Sequence, residues 1–113
     1  MSEMYSTGVW RPKAGRDQEF ISEWKAFADW ACTMPGAGTL SLTRDTGDPG
    51  RYLSMGHWGS EDAMQAWTAS PDFRERLGRV LQHVDGFDRA ALQVMATAAA
   101  AATAGVPTAG ETR

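Results

Sequence analysis

The order of apolar periodicities along the chain predicts an α+β protein of the ferredoxin-like type, β-α-β-β-α-β, with a broken second helix and an antiparallel four-stranded sheet. Three observations carry this reading. A long stretch of helical spacing follows the first β-favouring run. A turn rich in glycine, aspartate and proline joins two alternating runs into a hairpin. Two helix-start signals, at Ser60 and Ser70, then stand so close together that the second helical region must be two helices end to end.

Residues 5–11 form the first strand, with Tyr5, Thr7, Val9 and Trp10 as its β-favouring members. Pro12 closes it, since proline cannot donate to a sheet ladder. The first helix spans residues 16–33, where Phe20, Ile21, Trp24, Phe27, Ala28 and Ala31 recur on one face. Asp17 and Glu19 suit its positive end, and Pro35-Gly36 stops it. Residues 40–45 alternate Leu40, Leu42 and Arg44 against Thr39, Ser41 and Thr43, the pattern of a half-buried strand. Residues 46–50 are a turn, and residues 51–58 return as the second arm of the hairpin. Ser60, followed by Glu61 and Asp62, caps one helix, and Ser70-Pro71-Asp72 caps the next. In that last helix Phe73, Leu77, Val80, Leu81 and Val84 mark the apolar face, with Asp85-Gly86 as its stop. The final strand is read at 87–95. Several strands carry apolar or aromatic residues on both sides, so the sheet face away from the helices is expected to be buried against a second copy of the chain.

The totals bound the function. A length of 113 residues fits one domain, read as residues 1–95 with an alanine-rich, linker-like tail over 96–113. A formal net charge of −3 and the absence of a basic stripe argue against nucleic acid and anionic membranes. No apolar stretch is suited to spanning a bilayer, and the start lacks the layout of a signal peptide. Cys32 is the only cysteine, which precludes an internal disulfide and fits a reducing cytoplasm; it reads as a small buried thiol. Met34, Met55, Met64 and Met95 read as gap fillers. Five tryptophans are many for this length and point to bulky burial, an aromatic cavity or an interface. Trp67, at the break between the two capped helices, is placed to line a pocket between helices and sheet. Trp24 and Trp30 read as packing. No metal-ligand spacing, phosphate-binding glycine loop or serine–histidine–acid arrangement is present.

The run from Trp58-Gly59-Ser60 through Trp67 to Ser70-Pro71-Asp72-Phe73 resembles the antibiotic biosynthesis monooxygenase family. So does the Phe20, Trp24, Phe27 helix ahead of Pro35-Gly36, and the resemblance covers residues 4–95. It implies a ferredoxin-like homodimer whose sheets face each other in an α+β barrel. It also implies oxidation of a small aromatic, polyketide-type substrate by dioxygen without a bound cofactor. A non-catalytic ligand-binding or accessory protein of the same fold is the second reading, and a haem binder the third. The family's haem-degrading branch uses an asparagine on the first strand, a tryptophan on the broken helix and a histidine on the helix after it. Trp67 matches the tryptophan. The asparagine's place falls at Gly8 and the histidine's at Leu77, and the chain contains no asparagine at all. Leucine cannot ligate iron and glycine has no side chain to hold bound oxygen.

A cofactor-free oxygenase needs a substrate able to become an electron-rich anion, a polar group to stabilise it, and a dry pocket. Trp67, Tyr52 and His57 are the catalytic candidates; Gly8, Trp10, Arg44, Ser54, Phe73 and Leu77 are the substrate-binding ones. His57 precedes Trp58 and so points to the other sheet face; it is either a general base or an interfacial histidine bonded locally. Tyr52 and Ser54 share a face with Gly56 and Trp58. Gly56 either leaves room for a ligand or marks a close approach. Arg44 either anchors an anionic substrate or pairs with Asp45 or Asp48 in the turn.

Overall fold

The computed structural model describes residues 3–101. Strand β1 (Met4–Pro12) is followed by helix α1 (Asp17–Ala31), the hairpin β2 (Ala37–Arg44) and β3 (Tyr52–Trp58), helices α2 (Glu61–Thr68) and α3 (Pro71–Leu81), and strand β4 (Val84–Gln93). The strands make one antiparallel sheet in the order β2-β3-β1-β4. This is the ferredoxin-like arrangement expected from the order of periodicities, and the second helix is broken where the two serines predict. Ser60 is extended and its hydroxyl accepts from the Ala63 amide at 3.1 Å. Ser70 does the same for the Asp72 amide at 3.2 Å, with Pro71 leading the helix.

Two boundaries move for identifiable reasons. β2 begins at Ala37 rather than at residue 40, because a register shift between Ala37 and Leu40 hides the two-residue alternation. β4 begins at Val84 rather than at residue 87. The apolar spacing of α3 runs on into Val84, but the helix ends at Leu81 and Val84 pairs across to Pro12. Asp85-Gly86 therefore lies inside the strand and does not stop the helix.

One sheet face carries Met4, Trp10, Tyr52 and Trp58 into a common core with Phe20, Trp24, Phe27, Trp67, Phe73 and Val80 of the helices. Trp58, Phe20 and Val80 are its most enclosed large side chains. Aromatic contacts tie the layers together: Phe20 of α1 meets Trp10 at 5.5 Å and Tyr52 edge-on at 5.2 Å, while within the sheet Trp10 stacks on its cross-strand partner Phe87 at 4.1 Å. The other face carries Tyr5, Met55 and Leu92, which are 37%, 44% and 49% exposed. Met55 and Met95 are thus exposed rather than filling gaps, and Cys32 is exposed rather than buried. Residues 96–101 form no regular element, and the rest of the alanine-rich tail lies outside the described residues. Among those described, no helix is long and apolar enough to cross a membrane.

The β2–β3 turn is held by charge. The Asp45 carboxylate accepts from the Gly47 amide at 2.8 Å and from Arg51 at 3.0 Å, and Asp48 pairs with Arg11 at 2.7 Å. The Gly47 amide, then Arg51, hold the Asp45 carboxyl below its usual value, and Arg11 does so for Asp48. A carboxyl lowered on folding stabilises above its unfolded pKa, and that contribution is lost as pH falls through the folded one. The turn should therefore stay intact at neutral pH and loosen only below about pH 4. An NMR titration of the Gly47 amide tests this: its midpoint should lie below that of an unstructured aspartate peptide, and an equal or higher midpoint would refute the pairing.

Candidate functional site

The floor of the site is a diagonal exchange of serine and glycine between β1 and β3. Ser6 pairs with Gly56, and Gly8 with Ser54. Across this square the Trp10 indole N–H donates to the Ser54 hydroxyl at 2.9 Å, and the Trp58 indole N–H donates to the Ser6 hydroxyl at 3.1 Å. Each serine uses an acceptor site for an indole and keeps its own proton to donate. The glycines make this possible. A Cβ on Gly8 would stand 2.8 Å from Trp10 Nε1 and 2.9 Å from Ser54 Oγ; one on Gly56 would stand 2.8 Å from Leu40 Cγ and 2.9 Å from Ser6 Oγ. Gly56 is thus a close-approach position, and it also lines the hollow above this floor.

The roof comes from the helices. Trp67 of α2 stacks on Trp58 with ring centroids 4.7 Å apart and meets Phe73 of α3 edge-on at 4.9 Å; Phe27 of α1 lies 5.7 Å away. The Ser60 cap and the break before Ser70 set where on the sheet this indole lands. Its N–H has no acceptor. Among the described residues it is the one buried side-chain polar atom left without a partner. That is costly for a buried donor and calls for an explanation.

Between floor and roof lies a hollow of about 300 Å³, open at one side. Trp10, Trp24, Phe27, Trp67 and Phe73 wall it, and Ser6 and Ser54 give it hydroxyls. Its charged lining groups are Glu61 and Arg89. Glu61 accepts a hydrogen bond from Gln65 at 3.2 Å. The Arg89 guanidinium sits 5.2 Å above the Phe73 ring, an arrangement that holds a cation against an aromatic rim.

Of the residues expected at the site, Trp67, Gly8, Trp10, Ser54, Phe73 and Leu77 line this hollow. Tyr52, Arg44 and His57 do not. Tyr52 is 2% exposed, and its hydroxyl donates to Asp17 Oδ2 at 2.7 Å while accepting from Arg44 Nη2 at 2.6 Å. This triad fastens the start of α1 to the hairpin. It raises the Arg44 pKa through the Tyr52 hydrogen bond, and it takes Arg44 away from both Asp45 and Asp48. His57 is on the opposite sheet face, where its Nε2 lies 2.8 Å from Glu3 Oε1 and its ring abuts Tyr5. The residues missed include Ser6, Arg89, Glu61, Gln65, Met64 and Phe27; Trp24 is a wall as well as packing. For Arg89 a signal existed: it is two positions beyond Phe87, hence on the same face.

The lining does not fit the haem-degrading arrangement. It holds no histidine or cysteine, Leu77 has no donor atom, and the space above Gly8 is filled by Trp10 and Ser54. Among the described residues no three of His, Cys, Asp and Glu are grouped to hold a metal ion.

The sequence model for "Antibiotic biosynthesis monooxygenase" matches residues 4–78. No curated protein matches the sequence. Among solved structures, SnoaB from Streptomyces nogalater, a cofactor-independent oxygenase, superposes with a TM-score of 0.76 at 18% identity, over 86% of this chain and 97% of its own. A Deinococcus radiodurans protein bearing the family's name gives 0.76 at 17% identity, again over 86% and 97%. A conserved protein from Methanosarcina mazei Go1 gives 0.72 at 15%, over 80% and 91%.

Proposed function

The chain belongs to the antibiotic biosynthesis monooxygenase family, and from that premise we propose that it is a cofactor-independent oxygenase for a flat, phenol-type aromatic substrate. The observation that carries this reading is the aromatic hollow under Trp67, with hydroxyls on its floor and a lone guanidinium at its rim. Aromatic walls with a few polar groups suit an aromatic ring system. Such a substrate can supply all the electrons. In an anthrone, the ring methylene loses a proton and the resulting anion reduces dioxygen. A C–O bond forms, the second C–H and the O–O bonds break, and water leaves behind a carbonyl. One dioxygen is consumed per substrate and no outside reductant is needed.

The side chains divide this work. Arg89 is the counter-charge for the substrate anion. Ser6 and Ser54 donate their hydroxyl protons to substrate oxygens. Glu61, the one carboxylate on the lining, accepts the proton. The buried, unpaired Trp67 N–H offers a donor to a substrate oxygen atom that bears developing charge. Tyr52, Arg44 and His57 act away from the ring system.

The test uses dithranol, a hydroxylated anthrone, with an oxygen electrode and chelator present. Protein-dependent uptake of one dioxygen per anthraquinone formed, above spontaneous oxidation, is the expected result. Dithranol binding without added oxygen uptake would leave a ligand-binding protein and overturn the oxygenase.

A second copy is the occupant we assign to the open sheet face, where Tyr5, Met55 and Leu92 stand exposed among polar neighbours. Sedimentation at micromolar concentration should give a dimer, and Met55→Lys should shift it to monomers by burying a charge in that face. A wild-type monomer would refute the assignment.

A further inference from the structure

One face of helix α2 borders the hollow. Glu61, Met64, Gln65 and Thr68 follow the i, i+3, i+4 and i+7 spacing of a single helix face, and all four line it. On this face Gln65 Nε2 donates to Glu61 Oε2 at 3.2 Å, while Glu61 Oε1 takes no hydrogen bond from any described residue. Two other i, i+4 side-chain pairs brace helices among the described residues. They are Lys25 with Asp29 on α1 and Arg79 with Glu75 on α3. Both are ion pairs, and neither touches the hollow. The pair at the hollow differs in kind. Its donor is a neutral amide, which holds the carboxylate without cancelling its charge. A lysine in the same place would hold it too, but would make it a weaker acceptor of a proton.

We propose that Gln65 is the positioning residue for the base: it fixes Glu61 Oε2 and leaves Oε1 to take the ring proton of the substrate. The inference rests on the assignment of Glu61 as proton acceptor and adds the residue that sets its orientation and strength. In this step the methylene C–H bond breaks and an O–H bond forms at Oε1. The electron pair stays on the substrate as its anion, and the carboxylic acid gives the proton up again as water leaves. Gln65 itself exchanges no proton. Both side chains are exposed, so the hydrogen bond between them is a modest one, and replacing either should leave the fold intact.

The test follows dithranol oxidation across about pH 4 to 8, with spontaneous oxidation subtracted and urea unfolding of each variant as the check on folding. Gln65→Met keeps the length of the side chain and removes the donor. Its kcat at neutral pH should fall about threefold or more, while KM changes less than about twofold. The acid limb of the kcat profile should move to higher pH in Gln65→Met, where the carboxylate loses a donor. It should move to lower pH in Gln65→Lys, where the carboxylate gains a cation. Each shift should be about 0.3 unit or more, the size of an i, i+4 pair. A glutamine that only braced the helix would not give this opposed pair of shifts. In a Glu61→Gln background, Gln65→Met should have no further effect on kcat. An unchanged kcat and acid limb in Gln65→Met, or a loss that persists in the Glu61→Gln background, would overturn the positioning role and leave the oxygenase standing. Turnover at the wild-type level in Glu61→Gln would remove the base, and this proposal with it. A wild-type protein without oxygen uptake would remove both along with the oxygenase.

Discussion

Trp67→Phe should leave the fold about as stable as the wild type and remove most of the oxygen uptake. The two halves of this result have one origin. The indole N–H is buried without an acceptor, and such a donor lowers stability by about 1–3 kcal/mol. Phenylalanine removes the donor and keeps a ring against Trp58 and Phe73, at the expense of a small void. The two terms nearly cancel, so urea unfolding should shift by less than about 1 kcal/mol. The lost hydrogen bond to a charged oxygen is then unopposed. Turnover of dithranol should drop about tenfold or more, with the larger part in kcat if the N–H meets charge formed during reaction. Trp67→Ala should behave differently, because it empties the space between three aromatic neighbours and lowers stability by about 3–5 kcal/mol. A Trp67→Phe protein with full turnover would show that the orphaned N–H is structural strain and not a ligand donor. A Trp67→Phe protein destabilised as much as Trp67→Ala would show that the indole is simply core.

The contrast between Trp67 and Tyr52 shows where a linear reading of the chain succeeds and where it stops. Trp67 is placed by signals local to it: a serine cap seven residues before, a serine-proline cap three residues after, and helical spacing between. Local chemistry determines local structure there, and α2 and α3 come out as read. Strand alternation likewise puts Tyr52, Ser54, Gly56 and Trp58 on one face, with His57 on the other. Alternation says which face a side chain takes but not how far along the sheet the ligand lies. Tyr52 shares a face with Ser54 and still misses the hollow, because Asp17, which is 35 residues away, captures its hydroxyl. Arg44 follows for the same reason. Arg89 lies within the final strand as the sequence predicts it, and only the pairing of Arg89 with Gly8 shows that it reaches the hollow. The open sheet face is a third case. Its mixture of Tyr5, Met55 and Leu92 with polar neighbours becomes visible only when the register brings the strands side by side.

The same register makes glycine the second sensitive position. Gly8→Ala and Gly56→Ala should each destabilise the protein, while Gly78→Ala should stabilise it. A methyl at Gly78, on α3, meets nothing within 4 Å, and alanine there gains about 0.5–1 kcal/mol of helix propensity. A methyl at Gly8 lands 2.8 Å from the Trp10 indole nitrogen and 2.9 Å from the Ser54 hydroxyl, well inside van der Waals contact. One of them must turn, and either motion breaks the indole–serine bond. Overpacking accounts for about 1–3 kcal/mol and a freed buried N–H for a further 1–3, so a loss of at least about 2 kcal/mol is expected. At Gly56 the methyl drives against Leu40 and Ser6, and through Ser6 it reaches Trp58, on which Trp67 stacks. Dithranol binding should therefore fall with stability in both variants, since the serines that shift are also the hydroxyls of the floor. The coupling is measurable: Ser54→Ala with Gly8→Ala should lose less than the sum of the single changes, because the first removes one of the two atoms that the new methyl meets. Thermal or urea unfolding of the set decides the matter. Equal, small effects at Gly8, Gly56 and Gly78 would mean that the indole–serine square does not hold the floor of the hollow.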